Sequence, residues 1–410
     1  MIAVILYIFF FGVWFFINYK KHALNSSSLL IGLYFASAIA QLILVLYHPE
    51  YNANKVYLDA TIYNLIISIL FMQPIVRYGN KLDIRKLHIP DSTFNRVSYT
   101  LIFIGSLTII LSISGIQNIL SFDTFEGARN NAIWGDDNTS FYSYGIIGYI
   151  ATIGMNTPMF ALFMAFYRLY KHKRDDFVFY LLIITSLSGA FMNLTIAGRD
   201  GLVRWIMFFI CNIAIYKEYF SLKSFPFILK LLGGLMFVFV GSFFVLITFS
   251  RFGQGEDAIM SIIDYLGMSF YRFSEIYRGV GTNYLFGFQS IFPVIPGGMN
   301  SLDIAKLELN FSTSSFHTFM GSFVLYVGTF WTLFMAIVFN VLFKSSHKNS
   351  KFKLSNYFCY LIFFQVVYIG IFYFVYALLA WQCSFLFVYL LSKQYHVRLC
   401  SKSLNPNYKV

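Results

Sequence analysis

Stretches of about twenty apolar residues recur along this chain, separated by short lysine-rich segments. No other feature constrains the fold as much. An apolar run of roughly 17–25 residues, coiled as a helix, matches the hydrocarbon thickness of a bilayer. A helix also satisfies its backbone donors and acceptors internally, which lipid requires. Composition points the same way: 58% of the 410 residues are hydrophobic and 12% are charged, against about 25% charged in soluble domains. The expected fold is all-α, a polytopic integral membrane helix bundle forming one transmembrane domain over residues 1–410.

Eleven spans are expected, at about 2–18, 28–47, 59–76, 98–114, 142–166, 178–196, 202–216, 227–249, 319–342, 356–373 and 376–391. The last two come from one apolar stretch too long for a single helix, split near Val375. Apolar sequence begins at Ile2 with no basic segment before it and no clean cleavage site after it, so the first span is expected to stay. No internal repeat and no pair of broken helices is legible. The four cysteines, Cys211, Cys359, Cys383 and Cys400, fall in spans or in the basic tail and suggest neither disulfides nor a zinc site.

The net charge of +12 could point to nucleic acid, but most of it sits in short loops between spans. Lys20 and Lys21, Arg77 to Arg96, Arg168 to Arg174, Lys217 to Lys230, Lys344 to Lys353 and Lys393 to Lys409 all fall on one side when the N-terminus is outside and the C-terminus cytoplasmic. That is the positive-inside pattern, and it leaves no nucleic-acid partner expected. The outer segments carry 13 of the 18 Asp+Glu, and their eight basic residues are six Arg and two Lys, whereas the inner segments have sixteen Lys and six Arg. Arginine offers planar, bidentate binding to phosphate or carboxylate, which lysine does not.

Three outer segments carry chemistry. Residues 115–141 form an outer loop with "FDTFEGARNNAIWGDDN", which contains Arg129. Its adjacent Asp136 and Asp137 could hold a divalent cation, but no further acid completes a site, so no metal and no cofactor are expected. The second segment is the short turn in "IAGRDGLVRW" (Ile196–Trp205). A helix start there, flanked by Arg199 and Arg204, would bind an anion through its free N–H groups and its partial positive charge. Asp200 and Arg204 are four apart and can also pair along the helix. The third is the long outer loop, 250–318. It opens with Arg251, and its "EDAIMSIIDYLGMSFYRFSEIYRGVG" predicts short helices lying on the outer membrane face or folded back over the bundle. Arg272, Glu275 and Arg278 stand at three-residue steps among Tyr271, Phe273 and Tyr277. This suits sugars, whose C–H faces are apolar and whose hydroxyls need directed donors, and equally an Arg–Glu–Arg ladder over an aromatic packing face. His317, one of two outer histidines, stands at the entry to the ninth span, where it could accept a hydroxyl proton or serve as a plain hydrogen-bonding group.

These features resemble the oligosaccharide repeat-unit polymerases of bacterial surface-polysaccharide assembly, the Wzy or O-antigen polymerase family. The resemblance lies in the many-span layout, in "GRDGLVRW" before a span, in the long outer loop and in "HTFMGSFVLYVG". That last stretch is similar to the "HN…G" stretch of the wider polymerase and ligase superfamily, with Thr318 where Asn is frequent. The resemblance implies a multi-pass protein of the bacterial inner membrane. Its substrate would be an undecaprenyl-pyrophosphate-linked oligosaccharide, with membrane lipid around it and a chain-length regulator protein as a partner. The implied reaction is a metal-independent glycosyl transfer of the growing glycan onto the next lipid-linked unit at the outer face. In that scheme Arg199, Arg204 and Arg251 would hold pyrophosphate. Arg272, Arg278, Glu275, Tyr271, Tyr277, Arg129 and Asp200 would line the substrate site. His317 would be the base, with Glu275 or Asp264 as alternatives. An O-antigen ligase would share this site, and a flippase for the same lipid-linked glycan is the competing class.

Overall fold

The computed structural model describes residues 1–48, 51–120, 145–172, 176–196, 198, 200–219, 256–281, 286–292, 295, 317–348, 353–372, 374 and 379–393. Among them are thirteen α-helices and no strand. In chain order they are α1 (Ile2–His22), α2 (Ser26–Tyr47), α3 (Leu58–Gly79), α4 (Asp91–Leu120), α5 (Gly145–Met155), α6 (Pro158–His172), α7 (Phe177–Thr185), α8 (Ser188–Leu194), α9 (Asp200–Tyr216), α10 (Glu256–Val280), α11 (Phe319–Lys348), α12 (Leu354–Ile369) and α13 (Leu379–Leu391). Six of the described helical stretches are long and apolar enough to cross a membrane, α7 and α8 counting as one, and seven are if the bent pair α5/α6 is included. The chain is thus a helical, multi-pass type of membrane protein. Ten of the eleven expected spans coincide with helices, but α9, α12 and α13 have only 17, 16 and 13 residues. The expected span at 227–249 lies outside the described residues.

The helices sort into two groups. α1, α2 and α3 pack with α10 and α11, while α4 to α9 pack among themselves and with α13. α12 touches both groups, against α2, α3 and α11 on one side and α6 and α13 on the other, and α9 also packs directly against α2. One continuous core of aromatic and branched side chains runs through the assembly.

At one end of the bundle the lysine-rich segments gather. Asn18, Asn25, Ser28 and Asn80 form a chain of side-chain hydrogen bonds of 2.7–2.9 Å that ties the α1–α2 turn to the end of α3. The Tyr357 hydroxyl donates to Asp83 O (2.8 Å) and the Tyr219 hydroxyl to the Asp83 carboxylate (3.0 Å). Arg96 donates to the carbonyls of Leu391 and Lys393, and Arg168 pairs with Asp176, the N-cap of α7. These contacts bring together the ends of α1, α3, α6, α9 and α13 and the starts of α2, α4, α7 and α12.

Three helices depart from straight spans. Pro74 lies inside α3 and has no N–H to give the carbonyl four residues back, Leu70 O. The side chain of Asn340 in α11 supplies the missing donor, Nδ2 to Leu70 O at 2.7 Å. α5 and α6 meet at a 60° bend across Asn156 and Thr157. α11 turns at Gly328, whose φ of 80° and ψ of 173° a residue with a Cβ adopts only under strain. The turn is a reversal. The Phe71 ring of α3 lies 5.2 and 5.8 Å from those of Phe319 and Phe323, and 5.5 Å from that of Phe339. In a straight helix Phe323 and Phe339 would stand about 24 Å apart. Residues 319–327 therefore form a re-entrant arm, and the chain beyond Gly328 runs back past it. This corrects the expected single span at 319–342, and it shows that broken helices are present although none was legible in the sequence.

α10 is the helix expected in the long outer loop, and it folds into the bundle. Gly267 lies so close to α2 that an added Cβ would stand 2.6 Å from the Ala40 carbonyl carbon. The Phe270 ring stacks on Tyr7 at 4.3 Å and lies 5.7 Å from Phe11.

Candidate functional site

At the bundle end away from the lysines, α10 crosses the start of α3. Ser274 knits the two together: its hydroxyl donates to Lys55 O (3.0 Å) and accepts from Tyr57 N (2.9 Å). This register puts the α10 charges against the linker before α3. Arg272 Nη1 meets Glu275 Oε2 at 2.7 Å, and Lys55 Nζ stands 3.9 Å from the other Glu275 oxygen. Arg278 turns away from Glu275. It pairs with Asp59 at 2.8 Å, and its guanidinium lies 4.5 Å from the Tyr57 ring centre. The expected Arg–Glu–Arg ladder is thus split between two acids. Lys55, Tyr57 and Asp59 are the members that sequence spacing did not reveal.

The aromatic residues of this stretch are packed rather than presented. Tyr271 is buried, edge-on to Tyr51 at 4.9 Å, in a small cluster with Ala3, Val4 and Leu44. Tyr277 is half-buried against Tyr63 at 5.2 Å. This burial follows from α10 sinking into the bundle instead of lying on its surface.

His317 precedes the re-entrant arm and is only 6% exposed. Its side chain and that of Phe273 both abut Gly321, which docks the arm on α10. Phe319 N donates to Gly370 O at 2.6 Å, fixing the start of the arm on the end of α12. Burial, and secondarily the Arg272 charge, push the His317 imidazole down to about 4. It is therefore neutral at physiological pH. Its Nδ1 has no hydrogen-bond partner among the described residues.

A second cluster belongs to the other helix group. Arg204 lies in the first turns of α9 and is 8% exposed. Its Nη2 meets Asp200 Oδ2 at 2.7 Å, and its guanidinium sits 5.2 Å from the ring centre of Trp381 at the start of α13. The pairing along the helix is the one the spacing suggested. The aromatic partner, some 180 residues away, gave no sequence signal. A strap at 286–292 joins the two helix groups: Gly287 N donates to Tyr326 O (2.8 Å) on α11, and Gln382 Nε2 on α13 donates to Ile291 O (2.6 Å).

Two constellations emerge, one of His317, Arg272, Glu275 and Lys55, the other of Arg204, Asp200 and Trp381. Arg129, Arg199, Arg251, Asp136 and Asp137 lie outside the described residues, and the Asp264 side chain is half-buried on α10. Among the described residues no group of three His, Cys, Asp or Glu could hold a metal ion, and Cys211, Cys359 and Cys383 are unpaired. Comparison of the chain with protein-family models, with curated proteins and with solved structures finds no match.

Proposed function

We propose that this protein is a glycosyltransferase of the bacterial inner membrane that polymerises undecaprenyl-pyrophosphate-linked oligosaccharide repeat units at the outer face. The lysine-rich end lies in the cytoplasm by the positive-inside rule, which places both arginine clusters toward the outer face. The observation that carries the proposal is His317, buried at the start of the re-entrant arm with its Nδ1 unpartnered among the described residues.

In the reaction a hydroxyl of the incoming unit attacks the anomeric carbon of the growing chain. The bond to the pyrophosphate oxygen breaks, and undecaprenyl pyrophosphate leaves with the electron pair. Arginines suit the charge that develops on the leaving group, because they remain protonated and bind phosphate oxygens in pairs. Arg204 meets these needs inside the bundle, where Asp200 and Trp381 fix its plane, and the same role is assigned to Arg199 and Arg251 from their place in the sequence. The neutral imidazole of His317 accepts the hydroxyl proton. Burial is the main reason His317 is weakly basic, and an anionic donor next to Arg272 would offset the smaller, repulsive part and so raise its proton affinity when the proton arrives. A chain-length regulator would act as a partner.

The test is a glycolipid gel from a strain lacking the gene, with lipid-linked intermediates extracted in parallel. A ladder reduced to lipid core plus one repeat supports the polymerase. An uncapped core with long chains still on undecaprenyl pyrophosphate indicates an O-antigen ligase. Complementation with Arg204→Ala should shorten or abolish the polymer, with a rate loss of about a hundredfold or more. Retained chain length in Arg199→Ala and Arg251→Ala together would sink the pyrophosphate assignment.

One observation favours a second reading, a flippase. Discontinuous helices are frequent in transporters, and α5/α6 and α11 are both broken. Single repeats trapped on the cytoplasmic leaflet would decide for it.

A further inference from the structure

The strap at 286–292 follows α10 in the chain and precedes His317. It is anchored at two points, and each leads to a different arginine cluster. The first anchor is the far end of the re-entrant arm, beside Gly328. Phe286 N and Gly287 N both donate to Tyr326 O, at 3.3 and 2.8 Å. Gly287 has a φ of 76°, a turn that glycine makes without strain. Past the reversal, the Phe288 ring packs edge-on to Trp331 at 5.4 Å. The second anchor is α13, where Gln382 Nε2 donates to Ile291 O at 2.6 Å. Ile291 is buried, and a buried carbonyl that loses its donor is costly.

The arm carries the effect of the first anchor to His317. Thr318 caps its start: Oγ1 accepts from Gly321 N at 3.2 Å, and the main-chain oxygen accepts from Ser322 N. His317 is the residue before that cap, and its side chain abuts Gly321. Residues 319–327 make a rod about 13 Å long, so a shift at Tyr326 is delivered at His317. On α13, the residue before Gln382 is Trp381, whose ring centre lies 5.2 Å from the Arg204 guanidinium. Successive helix residues point about 100° apart. One helix start therefore meets Arg204 with one side chain and the strap with the next.

We propose that Gln382 is a positioning residue for His317. It holds the strap to α13, so that an anion bound at Arg204 and the setting of the imidazole are linked. This rests on the transferase reading for what the two clusters do. The linkage orders the reaction: His317 is set for the acceptor hydroxyl once a donor pyrophosphate lies on Arg204.

The experiment is hydrogen–deuterium exchange of the purified full-length protein in lipid nanodiscs, titrated with farnesyl pyrophosphate and read on the peptide that covers the arm. In wild type the bound probe should slow arm exchange by about fivefold. Gln382→Met keeps the reach of the side chain but has no N–H. It should speed arm exchange by about fivefold and abolish the response to the probe. Because linkage is reciprocal, the same variant should weaken probe binding by no more than that factor. If Gln382→Met does not fold, Gln382→Glu decides, since it keeps the shape and its carboxylate has no N–H to give. Arm exchange unaltered in Gln382→Met, or faster exchange with the response to the probe retained, would overturn the linkage. The second of these would make Gln382 a structural residue only. Probe binding lost in Arg204→Ala, with an arm that never responds to the probe in wild type, sinks the linkage alone. Probe binding that is absent, or unaltered by Arg204→Ala, sinks the pyrophosphate assignment of the transferase reading, and the anion's part in the linkage with it.

Discussion

A histidine held neutral by burial leaves a mark on stability as well as on chemistry. His317 is depressed from an ordinary value of 6.5 to about 4 in the folded protein. Between those two pH values the unfolded chain binds the proton and the folded chain does not. Stability is therefore full above pH 6.5 and is lost as pH falls through the window toward 4. Thermal unfolding of wild type and His317→Gln in detergent, compared across that window, checks this. Wild type should lose the greater stability on acidification, and parallel curves would remove the histidine from the account. Arg272→Ala should narrow the window without closing it, since burial is the larger cause. At the other cluster, Arg204→Lys keeps the charge but loses the planar group that lies over Trp381 and grips Asp200. It should behave nearly as badly as Arg204→Ala in the polymer assay; full activity in the lysine variant would mean that charge alone is used. The pairing of Arg204 with Asp200 was legible from their spacing of four. The parting of Arg278 from Glu275 was not, because Asp59 reaches it from a segment more than two hundred positions away.

Helix breaks are where local sequence said least. The stretch "GSFVLYVGTFWTLF" is evenly apolar, and glycines in such a run are common in membrane helices. What turns the chain at Gly328 comes from elsewhere: the strap N–H groups on Tyr326 O, and the Tyr63 hydroxyl on Thr329 O. Gly328→Ala should cost about 1–3 kcal/mol from this backbone conformation alone, seen as a lower unfolding temperature. The Pro74 defect permits a sharper test. Asn340→Leu should destabilise by about 1–3 kcal/mol, because Leu70 O is left without a donor. Adding Pro74→Ala should recover much of that loss, since an alanine N–H can reach the same carbonyl. Additive losses in the double variant would show that Asn340 matters for packing and not for the missing bond. The helices themselves were plain from hydropathy, and so was the separation of α12 from α13, which falls close to the expected split at Val375.

For the molecule as a whole, the two chemically different ends make sidedness testable. Lys20 and Lys55 are both exposed, at opposite ends of the bundle. In a cysteine-free background an impermeant maleimide should label Lys55→Cys on intact spheroplasts and Lys20→Cys only after permeabilisation. The reverse pattern would invert the proposed topology and move both arginine clusters to the cytoplasm. The same architecture has a cost in time. α1, α2 and α3 are made first, yet the ring that fills the space between Tyr7, Phe11 and Tyr34 is Phe270, and the acceptor for the Tyr34 hydroxyl is Val367 O. At synthesis rates of about 5–20 residues per second, the first three helices wait on the order of ten seconds or more for α10, and longer for α12. A nascent chain stopped in that interval has inserted correctly and still presents an unfilled aromatic seam to the bilayer, the kind of surface by which a membrane quality-control protease can tell an unfinished chain from a finished one.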